Sequence, residues 1–197
     1  MLAILVATLI QSPSLVCPIT GAAVTDESPS TAISGVQFRF SDEKARVTFL
    51  SDPTTRLEEA RKKGWIVGMS FFDQTTRKTA ILSRDGKIRA ADLSSIEAFS
   101  TYKGIVFPFA RARGKSSFDQ EPGRYVKEPA KFTLWCPIML KASASIERAI
   151  GYQDIEGVRY YLCCESCVGS ARGRGGGPGY VEALAKASDW VVLFPTK

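Results

Sequence analysis

The chain has 197 residues, 45% of them hydrophobic and 23% charged, with a formal net charge of +6. That balance can bury a core and excludes a disordered chain; the basic surface favours anionic partners without naming one. Histidine is absent, which removes the usual acid–base group of neutral pH, the orienting partner of most serine and cysteine nucleophiles, and imidazole as a metal ligand.

Taken in chain order, the first feature is the apolar run MLAILVATLI at 1–10, followed by the polar break QSPS. This run is too short to span a bilayer and suits the hydrophobic region of a secretory signal, although no Lys or Arg precedes it. Residues 1–14 are therefore expected to be a signal peptide and the protein to be exported, periplasmic or secreted. A buried first strand or helix is the alternative. No later stretch approaches a transmembrane span.

Three segments then look alike. GVQFRF at 35–40, GIVFPF at 104–109 and GVRYYL at 157–162 each place a glycine before alternating bulky residues. Val36, Phe38 and Phe40 share one strand face, as do Ile105, Phe107 and Phe109. In the third segment Val158, Tyr160 and Leu162 are expected to face the core, with Arg159, Tyr161 and Cys163 facing away. Downstream, Phe49, Pro53 and Leu57 fall at the same offsets as Phe118, Pro122 and Val126. Val181 takes the corresponding place in the third segment after a short insertion, which the glycine-rich run at 173–179 absorbs.

The ends and openings also correspond. LEEARKKGWIV at 57–67 parallels VEALAKASDWVV at 181–192, a helical pattern leading into an apolar strand. The openings CPITG at Cys17, FDQTT at Phe72 and CPIML at Cys136 align with one another. The predicted fold is α+β: three small repeated units at 17–68, 71–127 and 135–194, each a strand hairpin followed by a helix. Units of this size cannot bury a core alone, so they must pack together.

Five cysteines are present: Cys17, Cys136, Cys163, Cys164 and Cys167. Cys163 ends the third strand and Cys167 lies on the following strand-to-helix turn, so both sulfurs can aim at one point. Cys136, in the opening turn, can supply a third. Cys164 is displaced from that face. Thiolates suit Zn2+ or Cu(I), and a fourth donor could be Cys164, Glu165, water or a partner's thiol. In the repeat frame Ser41 and Ala110 stand where Cys163 is, Ala45 and Gly114 where Cys167 is, and Phe72 where Cys17 and Cys136 are. Cys17 is read as a remnant of the opening motif or a surface thiol.

The pattern C-P-I followed by G-V-R-Y-Y-L-C-C-E-S-C resembles the YHS domain and the related TRASH metal-binding modules. Residues 135–190 match best. Residues 17–60 and 71–127 resemble degenerate copies that keep FLSDP and FDQEP. The resemblance implies small α+β units that bind heavy-metal ions. The first expectation is a non-enzymatic protein that holds zinc or copper through Cys136, Cys163 and Cys167. Two other readings stay open: an interaction module whose cysteines form a disulfide, and a thiol redox protein using Cys163, Cys164 or Cys167. The RGRGGG run lacks an interleaved aromatic and reads as a connector rather than a nucleic-acid contact. Expected partners are therefore a metal ion and an unidentified protein, with no nucleic acid and no stable membrane insertion. Glu58 and Glu59 read as the solvated face of a helix.

Overall fold

The computed structural model describes residues 13–83, 85–126, 131–139, 141–142, 145–155 and 157–172. The apolar run at 1–10, the glycine-rich run at 173–179 and the pattern at 181–192 lie outside the described residues. The described chain is α+β, built on two five-stranded sheets and one short ribbon. No described helix is long and apolar enough to cross a membrane.

The chain enters through an isolated bridge between Val16 and Ala23 and forms the hairpin β1 (Ser30–Ile33) and β2 (Val36–Arg39). Ser34 (φ 49°) and Gly35 (φ 78°) make the turn. Two successive positive φ values give a hairpin turn whose twist matches that of the strands, which is why glycine precedes each aromatic strand. Helix α1 (Glu43–Ser51) follows, its first turn capped by Asp42, which accepts the Ala45 N–H at 2.7 Å. Pro53 cannot continue α1 and biases Asp52 away from the helical region, so the chain breaks at Asp52 (φ −156°, ψ 75°). It restarts as α2 (Pro53–Lys62), with Pro53 in the first turn.

Strand β3 (Gly68–Ser70) and the small hairpin β4 (Phe72–Asp73) and β5 (Lys78–Thr79) lead to the second large hairpin, β6 (Ala98–Tyr102) and β7 (Ile105–Phe109). Its turn, Lys103 (φ 49°) and Gly104 (φ 76°), matches the first. Helix α3 (Ala112–Gln120) breaks at Glu121 (φ −151°, ψ 67°) and restarts as α4 (Pro122–Tyr125). E-P here does what D-P does at Asp52. The aromatic packing matches as well. Phe49 lies 5.0 Å from Phe38 and 5.3 Å from Phe40, and Phe118 lies 5.1 Å from Phe107 and 5.2 Å from Phe109, measured between ring centroids.

The last described elements are β8 (Lys131–Thr133), the ribbon β9 (Trp135–Cys136) and β10 (Lys141–Ala142), the hairpin β11 (Gly151–Ile155) and β12 (Val158–Leu162), and α5 (Glu165–Arg172). The first sheet runs β1-β2-β3-β7-β6, with β3 antiparallel to β2 and parallel to β7. The second runs β4-β5-β11-β12-β8, with β8 parallel to β12.

One face of the first sheet packs against the helices through Phe38, Phe40, Phe49, Leu57, Phe109 and Phe118. Its other face meets the second sheet through Met69, Phe72, Val106, Phe132 and Tyr161. Tyr161 is therefore buried, 1% exposed, and does not face away from the core as expected. β12 is packed on both faces, with Tyr161 against the first sheet and Val158, Tyr160 and Leu162 in the clusters on the other side.

Gly68 lies in β3 between β2 and β7, paired with Phe38 on one side and Ile105 on the other. A methyl group there would come within 2.8 Å of Phe38 and Val36 and 3.1 Å of Ile105. All three are core side chains with nowhere to retreat, so Gly68→Ala is expected to destabilise the fold by about 1–3 kcal/mol. A lowered urea midpoint checks this; an unchanged midpoint would show that the core is looser than described.

Candidate metal centre

Three cysteine sulfurs converge at one end of the second sheet. Cys136 ends β9, where Pro137 begins the turn back to β10. Cys163 directly follows β12, and Cys167 lies in the first turn of α5. The Sγ atoms of Cys136, Cys163 and Cys167 all lie within 4.8 Å of one another, with Cys163 and Cys167 at 3.9 Å. Cys136 and Cys167 are fully buried and Cys163 is half-buried. They pack with Leu162, Val168 and Ala171, so the site has an apolar floor beneath the sulfurs.

The ribbon turn arranges more than position. Cys136 Sγ accepts the backbone N–H groups of Cys163, Met139 and Ile138, and a hydrogen bond from Cys167. Burial pushes the Cys136 thiol up, but these donors outweigh it and hold the group below the ordinary thiol range. Burial pushes Cys163 up, and the neighbouring Cys136 adds to that. Cys167 is pushed up by burial, then by Cys164 and Cys136. The pattern has a simple electrostatic meaning: one negative charge is welcome on Cys136, and a second or third beside it is not. A cation among the three sulfurs reverses that penalty.

The donor set fits a thiophilic ion. Thiolate bonds near 2.3 Å, arranged in a plane or a tetrahedron, space the sulfurs by about 3.8–4.0 Å, and Cys163 and Cys167 already stand at that separation. Cys164 is outside the group of three. Its sulfur precedes α5, accepts the Cys167 N–H as a helix cap would, and lies 2.9 Å from Cys167 Sγ. Contact with the Cys167 side chain first, then hydrogen bonds from Ser166 and the Cys167 N–H, bring its thiol down to about 7. Glu165 is exposed and paired with Lys78 at 3.0 Å.

The same turn occurs at the two other openings, and there the structure corrects the sequence alignment. Val16 pairs with Ala23, Phe72 with Thr79 and Trp135 with Ala142. In this frame the residue matching Cys17 and Cys136 is Asp73, not Phe72. Asp73 accepts the backbone N–H groups of Thr75 (2.9 Å), Thr76 (3.1 Å) and Ala110 (3.3 Å). Cys17 accepts those of Ile19, Thr20 and Ser41. Each opening side chain thus sits in a cup of three N–H donors, two from its own turn and one from just beyond the following large hairpin.

The signal that reveals Asp73 is the lysine five positions on, Lys78 after Asp73 as Lys141 after Cys136. Phe72 instead fills the core, 5.5 Å edge-on to Tyr152. Cys17 is fully buried, not a surface thiol. In the middle segment a side chain at Gly114 would meet Thr75 Oγ1 at 2.9 Å, so that position is closed where Cys167 would stand.

No protein-family model, no curated protein and no solved structure matches this chain. Fold and site together define an α+β protein with a histidine-free cluster of three cysteines that could hold a metal ion.

Proposed function

We propose that the chain is a non-enzymatic metal-binding protein of the YHS and TRASH kind, holding one thiophilic ion, zinc or copper(I), through Cys136, Cys163 and Cys167. The observation that carries this reading is the convergence of three thiols, two of them buried: Cys163 and Cys167 from the β12–α5 junction and Cys136 from the earlier β9 turn. The ion contributes positive charge that neutralises the deprotonated thiols. Cys136 is held ready by the N–H groups of its turn, and Val168 and Leu162 keep water from beneath the site. The first two hairpin–helix segments are related units that lack the ligand set and serve as scaffold or partner surface. The apolar run at 1–10 supports export before the protein takes up its ion.

Thiol accessibility tests the reading. In zinc-loaded protein, Cys136, Cys163 and Cys167 are expected to resist a thiol reagent and to react once a strong chelator is added. A disulfide among these three under non-reducing conditions, or identical labelling with and without chelator, would instead make the cluster a structural staple.

A further inference from the structure

Cys164 is the cysteine that the centre leaves aside, yet its sulfur is 2.9 Å from Cys167, nearer than the 3.9 Å that separates Cys163 from Cys167. Cys164 is half-exposed, whereas Cys167 is fully buried. Of the two partly exposed sulfurs beside the buried Cys167, that of Cys164 is the nearer. Closing the pair to a bond of about 2.05 Å requires the two sulfurs to approach by only about 0.9 Å. The Cys167 N–H is directed at Cys164 Sγ, so this sulfur caps the first turn of α5 and is held beside Cys167.

We propose that Cys164 and Cys167 are a redox pair overlapping the metal centre, and that a hydroperoxide joins them as a disulfide and so withdraws Cys167 from the ligand set. The Cys164 thiolate attacks the distal oxygen of the hydroperoxide. The O–O bond breaks, the departing oxygen takes a proton and leaves as water or an alcohol, and Cys164 becomes a sulfenic acid, oxidised by two electrons. Cys167 then attacks that sulfur. The S–S bond forms, the S–OH bond breaks, and hydroxide leaves as water with the Cys167 proton. Two thiols and one hydroperoxide thus give one disulfide, one water or alcohol, and one water. A dithiol reductant reverses the change. Cys136 and Cys163 alone hold an ion less tightly than three thiolates, so oxidation releases it. The disulfide stands independently of the metal reading; release of the ion rests on it.

The experiment has two arms on the full chain. In the first, chelator-treated protein receives one equivalent of hydrogen peroxide and is mapped by tandem mass spectrometry after alkylation. Free thiols are expected to fall from five to three, with Cys163 alkylated and Cys164 joined to Cys167. No disulfide, or one linking Cys136 to Cys163 or Cys167, overturns the proposal. In the second, zinc-loaded wild type and Cys164→Ser receive peroxide while a chromophoric chelator reports released zinc. Serine keeps the capping role, so the variant is expected to start with the same zinc content and release it at least about tenfold more slowly. Equal release rates, or a variant that starts without zinc because Cys164 is itself a ligand, overturn it. If the wild type never takes up zinc, the metal reading fails, while the first arm still decides the pair.

Discussion

Serine in place of Cys136 is expected to weaken zinc binding by more than the 10–100-fold that follows loss of a group merely supporting a metal ligand. The substitution removes a thiolate, and it removes the one thiol of the three that its surroundings hold in readiness. Its three backbone donors stay in place and would face a hydroxyl, which binds zinc poorly when neutral. Competition against a chromophoric chelator of known affinity measures the effect. Cys17→Ser is the matched control, because Cys17 is equally buried in the same kind of turn but faces Ser41, 3.7 Å away, and no second cysteine. Its zinc affinity should equal that of the wild type. An unchanged affinity in the Cys136 variant would place the ion elsewhere.

The second large effect concerns the fold. Phe118 is fully buried and touches Phe107, Phe109, Tyr102 and Tyr125, so it joins α3 to the second hairpin and to the chain after Pro122. Phe118→Ala should cost about 3–5 kcal/mol, the usual penalty for emptying a phenylalanine site in a tight core. Phe49→Ala should cost the same, because Phe49 makes the matching contacts with Phe38 and Phe40. Urea unfolding of both variants checks the pair. A loss below about 1 kcal/mol at either site would mean that its ring lies against a surface able to close over the gap.

These positions show how much of the architecture could be read directly. Phe49, Phe118, Pro53 and Pro122 were legible as equal offsets beyond the glycine–aromatic strands, and the structure gives each a local cause: an aromatic in the second turn of its helix, and proline's restriction of the residue before it. The sulfur cluster was legible for a related reason, since β12 and the start of α5 lie side by side in sequence.

What was not legible depends on pairing over distance. Nothing local says that β3 lies parallel to β7, or that β4 and β5 leave the first sheet to join β11. Tyr161 was assigned to an outer face because the second packed layer comes from such non-local pairing. Phe72 was aligned with the cysteines on its place in the motif, whereas strand register puts Asp73 there. A one-residue slip exchanges the two faces of a strand, and here it exchanged a core aromatic for the acceptor in the turn. Cys164 does stand outside the group of three, but its closeness to Cys167 comes from the turn into α5, beyond the strand where alternation applies.

Elemental analysis of the full chain, purified without any affinity metal, tests the three-cysteine centre most directly. The wild type should carry close to one zinc or copper per chain, and the Cys136→Ser/Cys163→Ser/Cys167→Ser variant almost none. Equal metal content in the two proteins would contradict a metal centre built on these cysteines.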